Sequence, residues 1–225
     1  MKSVWKPPKE NCVSLWARNN RGEILLTFVE EVAGIYRLRV PFEDLYTSVF
    51  LIRTEQGNAL VDSGTYESDV TEYILPALQE LGLRLADVRY LIFTHQHGDH
   101  TGGKTTLLAL APTIEVVQEK RALALNGISV CEMKGHTLDC IGVFDERSST
   151  LISGDGLQGA GVGKYRCSLA SKDEYLSTVE KLIKDERITN ILFSHAYEPW
   201  YKDGAFGREE VVKCLQDCVR CVQEK

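Results

Sequence analysis

The sequence predicts a layered α/β protein in which two β-sheets pack together and helices cover them. Short apolar runs bounded by turn residues outnumber amphipathic helical segments, and the helical segments lie between blocks of strands. The chain has 225 residues and is 44% hydrophobic, which suits one domain with a sizeable core. Periodicity alone does not separate this arrangement from an ordinary three-layer α/β fold.

Most of the predicted strands are short and of the buried type. Two strands flank Gly34 in the segment EILLTFVEEVAGIYRLRV, and SVFLIRTEQGNALVDSG reads as a hairpin with strands over 49–53 and 59–62. The same reasoning predicts further strands over 88–93, 114–117, 129–134, 140–145, 150–153 and 190–195. These runs supply enough strands for two sheets.

Four helices are expected, over residues 68–82, 100–111, from 171 onward and over 208–223. Ser68 suits the first N-cap and Gly82 the first stop, while Pro76 should kink or split that helix. The third helix opens with a capping box, in which Ser171 is the cap and Glu174 follows three residues later.

Composition and charge limit which binding partners and which cellular compartment we expect for this protein. A net charge of −6 gives no general attraction to nucleic acid, so none is expected as a partner. The first residues, MKSVWKPPKENCVSLW, lack the apolar core of a secretion signal, and no apolar run approaches the ~20 residues of a membrane helix. We therefore expect a cytoplasmic protein that does not associate with membranes.

The seven cysteines are expected to be free thiols, since an odd number in a chain without a secretion signal argues against a disulfide framework. Cys214, Cys218 and Cys221 follow helical spacing beside apolar residues of the last helix. We expect them to pack in the core. Redox chemistry or adventitious metal binding is the alternative.

The segment LIFTHQHGDHTGG carries the strongest chemical signal. It places His95, His97, Asp99 and His100 within six positions, directly after a buried strand. Imidazole and carboxylate are ligands for zinc and other borderline divalent metals. A sharp turn at Gly98 would aim His95 and His97 to one side while Asp99 and His100 point elsewhere, so the segment offers ligands for two metals.

The other two histidines of the chain also follow predicted strands. His136 lies in KGHTLDCIGVF and His195 in ILFSHAYEPW, while Asp155 lies between two glycines in LISGDGLQG. Loops at strand ends are where sites are commonly built on a rigid frame. These three residues are therefore further candidate ligands.

The ordered set H-x-H-x-D-H, G-H-T, G-D and S-H, together with VDSG at 61–64, resembles the metallo-β-lactamase superfamily. The resemblance runs from about residue 49 to residue 195. It implies a single domain over 1–225 with a four-layer αββα metallo-β-lactamase-like sandwich. The metals would then lie at one edge of the two sheets.

The resemblance also implies a ligand set. One metal would be held by His95, His97 and His136, the other by Asp99, His100 and His195, with Asp155 bridging them. Asp62 would orient His95 or a neighbouring ligand through hydrogen bonds, and a turn-forming role is its alternative. We expect two divalent metal ions, with zinc as the default and iron or manganese as options.

The expected activity is that of a binuclear metal-dependent hydrolase. A metal-bridging hydroxide would attack a small ester, thioester, lactone or phosphoester, and Asp99 would also accept or pass a proton. One alternative is a mononuclear iron enzyme similar to the persulfide dioxygenases. The other is a metal-binding module without catalysis.

Departures from known subfamilies bear on the substrate, which we expect to be a small molecule. Only 30 residues follow His195, so the helical domain with which glyoxalase-II-type thioesterases bind glutathione is not expected, nor is a glutathione thioester. The usual G-H-T-P-G motif of the superfamily appears here as GHTLD.

Candidate substrate contacts, for which packing is the alternative, are Lys164, Tyr165, Arg166, Tyr197 and Trp200. The oligomeric state is left open, with a homodimer as one option.

Overall fold

The computed structural model describes residues 26–42, 45–159, 168–197 and 202–224. Within these ranges the chain forms a six-stranded and a five-stranded sheet, with helices on both outer faces. No helix in the described part of the chain combines the length and apolar character needed to span a membrane.

The first sheet contains strands β1 to β6 in chain order. The first four pair antiparallel, whereas β4, β5 and β6 run parallel to one another. Their bounds are β1 Val29–Val32, β2 Ile35–Phe42, β3 Leu45–Thr54, β4 Gly57–Val61, β5 Val88–Ile92 and β6 Glu115–Val117. The carboxyl ends of the three parallel strands therefore share one edge of the sheet.

The second sheet has the order β11-β10-β9-β8-β7. Only β9 and β10 run parallel, and the other neighbours are antiparallel. Its strands are β7 Ile128–Glu132, β8 Ile141–Asp145, β9 Thr150–Ile152, β10 Asn190–Leu192 and β11 Gly204–Phe206. Sequence reasoning missed β11, because its three residues carry two small side chains and it pairs across a long connection.

The helices lie where the sequence predicts them, except that Tyr66 rather than Ser68 is the first N-cap and the second predicted helix is divided at Gly102 and Gly103. Helix α1 (Glu67–Asp69) continues through a π-helical turn (Val70–Ile74) into α2 (Leu75–Glu80), and the others are α3 Gly98–Thr101, α4 Lys104–Leu110, α5 Lys172–Lys184 and α6 Arg208–Gln223. The predicted break at Pro76 is instead a widened turn just before the proline, which has no N–H to donate. The Ser171 hydroxyl accepts a hydrogen bond from the Glu174 N–H, as predicted, but the Ser171 N–H donates to the Gly135 carbonyl, so only half of the predicted capping box forms.

The buried apolar side chains fall into three layers. One layer lies between the first sheet and the π-helical turn, α2 and α4. A second lies between the two sheets, and a third lies between the second sheet and helices α5 and α6. Cys214 and Cys218 belong to the third layer, as predicted for the last helix, whereas Cys221 is only partly buried and is not part of that layer. These layers confirm the four-layer αββα sandwich and exclude the three-layer alternative.

Candidate metal centre

The strand ends bring the predicted site residues to one edge of the sandwich. Asp62 follows β4, His95 lies three residues beyond β5, Asp155 follows β9, and His195 lies three residues beyond β10. The parallel pairs β4–β5 and β9–β10 end at this edge, and the loops after them carry the polar side chains. His136 reaches the same place from the connection between β7 and β8.

The histidine segment turns sharply into helix α3, whose N-cap is His97. The turn is held by the chain that follows β4, since the Ser63 N–H donates to the His100 carbonyl and the Gly102 N–H to the Gly64 carbonyl. A Cβ on Gly102 would lie 2.0 Å from the Thr65 carbonyl oxygen. Glycine is therefore required there for the helix to approach this loop.

The structure brings all seven predicted ligands together in two groups. The first group contains His95, His97 and His136, and the second contains Asp99, His100, Asp155 and His195. In each group one nitrogen or oxygen atom per residue lies within 4.8 Å of all the others. His97 is exposed and Asp99 is partly exposed, whereas the other five are buried.

In the first group the donor atoms converge from three rings. His97 Nδ1 and His136 Nε2 are 3.1 Å apart, and the His95 ring lies edge-on to both neighbours, with centroids at 4.6 and 4.9 Å. Two nitrogens bound to one tetrahedral zinc at about 2.0–2.1 Å would be roughly 3.3–3.4 Å apart. The spacing therefore suits a shared cation.

In the second group two carboxylates face two imidazoles. His195 Nε2 lies 3.1 Å from Asp99 Oδ2 and 3.3 Å from Asp155 Oδ1, and His100 Nε2 lies 3.4 and 3.5 Å from the same two oxygens. The four atoms thus surround one point. Asp155 also faces the first group, because its Oδ2 lies 3.9 Å from His136 Nε2.

Hydrogen bonds on the far side of three imidazoles set which nitrogen faces the centre. Nδ1 lies 2.8 Å from the Tyr46 carbonyl in His195, 2.6 Å from the Ser168 carbonyl in His136 and 2.8 Å from an Asp62 oxygen in His100. Each acceptor favours a proton on Nδ1 and so leaves the Nε2 lone pair for a metal.

Asp62 orients His100 rather than His95, and it does so from a left-handed backbone conformation with φ 64°. Its carboxylate also accepts hydrogen bonds from the Thr94 N–H and hydroxyl. The Thr94 hydroxyl in turn lies 3.2 Å from His95 Nδ1. Sequence analysis missed Thr94, although its place directly before the first histidine was a usable signal.

The seven donor residues fit a bound metal, because three of their histidine nitrogens are buried without a hydrogen-bond partner among the described residues. These nitrogens are His95 Nε2, His100 Nε2 and His195 Nε2. Buried polar atoms are rarely left without a partner. A cation at each group would satisfy all three nitrogens at once.

Electrostatics distinguish the two groups. In the first, burial and the neighbouring His100 lower the pKa of His95 to about 2, and burial also lowers the pKa of His136. In the second, burial alone would lower the pKa of His195, but the charges of Asp155 and Asp99 raise it. His95 and His136 of the first group are therefore neutral imidazoles, whereas the ionised carboxylates of the second group attract positive charge.

Of the five candidate substrate contacts, only Tyr197 belongs to the described residues. The Tyr197 ring lies 5.2 Å from the His195 ring, and the Phe42 ring, which sequence analysis missed, lies 5.9 Å from it. Both stand beside the second group. Lys164, Tyr165, Arg166 and Trp200 lie outside the described residues.

Comparison with known proteins agrees with this geometry. Residues 43–127 match the model of the metallo-β-lactamase superfamily. Beta-lactamase-like protein 2 homolog of Caenorhabditis elegans is 26% identical over 69% of this chain and 57% of its own. A hydroxyacylglutathione hydrolase of Albidiferax ferrireducens is 30% identical over 69% of this chain and 64% of its own. The chain thus spans less than two thirds of the length of these relatives.

Solved structures share the fold. The metallo-β-lactamase FIM-1 from Pseudomonas aeruginosa superposes with a TM-score of 0.68 and 16% identity, covering 89% of this chain and 97% of that one. The match to the superfamily model, the sequence relatives and the sandwich with its H-x-H-x-D-H turn agree with one another. The chain belongs to the metallo-β-lactamase superfamily.

Proposed function

We propose that this protein is a hydrolase that uses two divalent metal ions, with zinc as the favoured metal, to cleave a small thioester or ester. The observation that carries the proposal is the convergence of seven donor residues in two adjacent groups, with Asp155 facing both. The donors are imidazoles and carboxylates, with no thiolate among them. Zinc accepts such donors, and iron and manganese accept them too.

The metals, when bound, would supply Lewis acidity and a water acidified enough to act as a nucleophile near neutral pH. The residues of the chain hold and orient these ions. Exposed His97 marks the open side of the centre, so a substrate would approach there, while the buried His100 and His195 close the other side. No serine or cysteine nucleophile is needed.

Asp99 is the proposed proton acceptor. Its carboxylate is partly exposed and lies beside His195 and His100. Burial would raise its pKa, but the neighbouring His100 and His195 hold the pKa far below the usual range, so the carboxylate is ionised.

The substrate class is supported by the relatives. A hydroxyacylglutathione is a thioester, and the hydrolase of that name is among the 30% identical relatives. We therefore place thioesters first and simple esters second. Lactones and phosphoesters share the same electrophilic character and complete the panel.

The test is hydrolysis of a panel of thioesters, esters, lactones and phosphoesters by zinc-loaded protein. Asp99→Asn should lower kcat by about 100-fold or more, the usual contribution of a positioned proton acceptor. Asp155→Ala should remove both activity and one metal. Gln96→Ala is the matched control, because this exposed side chain lies between two ligands but points to Gln118 and should change neither value.

Three outcomes would contradict the proposal. Unchanged turnover in Asp155→Ala would remove the binuclear mechanism. A single bound iron with oxygen uptake would favour the persulfide-dioxygenase-like alternative. Full metal loading with no hydrolysis across the panel would favour a metal-binding module.

A further inference from the structure

A network of charged side chains lies behind the second group and is used by none of the proposed chemistry. It joins Arg37 and Arg39 of β2 and Tyr46 of β3 to Asp203, which precedes β11 in the other sheet. Arg37 is fully buried, and its guanidinium stacks over the Phe50 ring with a separation of 5.0 Å. Burying the charge of an arginine in an apolar interior costs free energy unless the charge is paired. The presence of Arg37 here therefore calls for a structural or functional explanation.

Asp203 is the hub of this network. Its carboxylate lies 2.6 Å from Arg37 Nη1 and 2.7 Å from Arg39 Nη2, and it accepts a hydrogen bond of 2.6 Å from the Tyr46 hydroxyl. Its backbone carbonyl accepts from Arg37 Nη2 and from the Phe193 N–H. One residue therefore holds strand β2, strand β3 and the end of β10 together.

The network touches the candidate metal centre at Tyr46. The Tyr46 hydroxyl is bonded to Asp203, and the Tyr46 carbonyl accepts the Nδ1–H of His195 at 2.8 Å. Beside it, the Ser48 N–H and hydroxyl both donate to the Ser194 carbonyl, at 2.9 and 2.8 Å. The first sheet therefore fixes the orientation of a ligand that the second sheet carries.

We propose that Asp203 is a positioning residue, which acts through Tyr46 to aim the His195 ring at the second metal. The contact chain on which this depends runs from Asp203 Oδ2 to the Tyr46 hydroxyl and from the Tyr46 carbonyl to His195 Nδ1. Outer hydrogen-bond partners of this kind typically contribute a factor of 10–100 to metal affinity. The inference rests on the metal centre of the proposed function.

The first experiment is a double-mutant cycle on zinc affinity, measured by chelator competition. In the His97→Ala background, where the first group lacks a donor, Asp203→Asn should weaken zinc binding by about 10-fold or more. In the His195→Ala background the same change should have little effect, because the ring that Asp203 positions is gone. An equal loss in both backgrounds, or no loss in either, would overturn the inference.

Tyr46→Phe provides a second variant in case Asp203→Asn does not fold. It removes only the hydroxyl and leaves the ring and the carbonyl that His195 contacts. It should weaken zinc binding in the same background by about 10-fold, within the range for outer partners. Thr71→Val, which removes an exposed hydroxyl that bonds the Ser68 carbonyl on a distant helix, is the matched control and should leave the zinc affinity unchanged.

A second readout uses the metal-free protein and separates this inference from the proposed function. In nitrogen-15 NMR spectra the His195 Nδ1–H should be a protected, slowly exchanging proton, and it should exchange faster in Asp203→Asn and Tyr46→Phe. If wild-type protein binds no zinc, the proposed function fails while this readout still decides the positioning role. Equal exchange in all three proteins would exclude that role.

Discussion

Asp62 shows how a single residue organises the centre. Its carboxylate receives the His100 Nδ1–H and two hydrogen bonds from Thr94, and the Thr94 hydroxyl reaches His95. One buried side chain thereby orients ligands of both groups. Its left-handed backbone is tolerated by Asp and Asn better than by residues with an apolar side chain.

Asp62→Asn should lower zinc affinity by about 10–100-fold, because an amide N–H would face the His100 N–H that the carboxylate now accepts. Asp62→Ala should be destabilised further, by about 1–2 kcal/mol, because alanine is strained at positive φ. Chelator competition and thermal unfolding measure the two effects. Asp139→Asn is the control, because it removes the same charge from an exposed position three residues after His136. If Asp139→Asn lowers zinc affinity as much as Asp62→Asn does, the role of Asp62 is contradicted.

Sequence spacing pointed to the candidate ligand residues but not to the groups that orient them. All seven candidates share one edge of the structure, because each follows a strand whose apolar pattern is visible in the sequence. The acceptors for His136 and His195 are the backbone carbonyls of Ser168 and Tyr46. A carbonyl is present at every residue, so no pattern distinguishes these two before the fold brings them close.

At the scale of elements, the histidine turn depends on how closely α3 approaches the loop after β4. The donor side chains point to two groups because helix α3 starts between His97 and Asp99 and rotates the later residues away from the earlier ones. Hydrogen bonds from Ser63 and Gly102 hold this helix to the loop. The position of the glycines thus decides the geometry of the centre.

Gly102→Ala should destabilise the fold by about 3 kcal/mol, the upper range for overpacking, because its Cβ would meet the Thr65 carbonyl. Gly98→Ala is the matched control in the same turn. A Cβ there has no neighbour within 4 Å in the described part of the chain, so the variant should be within about 0.5 kcal/mol of wild type. Equal unfolding free energies in denaturant titrations of the two variants would refute this account of the turn.

The N-cap of α5 makes a smaller contribution to stability and tests a local prediction. Ser171→Ala removes the hydroxyl that accepts the Glu174 N–H and should cost about 1 kcal/mol. Ser171→Asp, which retains an acceptor, should lose little. A loss in urea titrations that is the same for both variants would show that the cap contributes nothing.

Elements were predictable where local chemistry determines them. The cap at Ser171 and the run of α6 follow from adjacent residues, and both match the prediction. The π-helical turn before Pro76 was not predicted, because the proline shows where a helix is disturbed but not how the backbone adjusts.

At the scale of the whole molecule, the two sheets are joined on one side by the charged network around Asp203. Arg37 and Asp203 are 166 residues apart in sequence, and their pairing exists only because the sheets stack. Nothing in the local pattern around either residue predicts the contact. The sequence therefore indicated two packed sheets without showing what joins them beside the centre.

Because of this network, the free energy of unfolding should decrease when the pH falls into the acidic range. Burial would raise the pKa of Asp203, but the charges of Arg37 and Arg39 and the Tyr46 hydrogen bond hold it below its usual value; Glu31 pairs with the same arginines. Ionised Asp203 therefore stabilises the fold above its unfolded pKa of about 3.9, and that contribution is lost as pH falls through the lower folded pKa.

The check compares wild type with Asp203→Asn in urea titrations between pH 7 and pH 3. The variant should be less stable by about 3–5 kcal/mol at pH 7, because an arginine loses its buried partner, and the difference should shrink below about pH 4. A difference that is constant across this range would show that the Asp203 charge does not stabilise the fold.

The two groups should also differ in metal affinity. The second group offers two carboxylates to a divalent ion, whereas the first offers three imidazoles and no carboxylate of its own. The first equivalent of zinc should therefore bind at the second group. In a stepwise titration followed by NMR, the His195 and His100 signals should shift before those of His97, and the reverse order would contradict this electrostatic reasoning.

An anomalous-difference map from crystals of the zinc-loaded protein would show whether the seven donor residues bind two metal ions. We expect two peaks, one contacting His95, His97 and His136 and one contacting Asp99, His100 and His195, with Asp155 reaching both. A single peak, or density away from these side chains, would contradict this expectation.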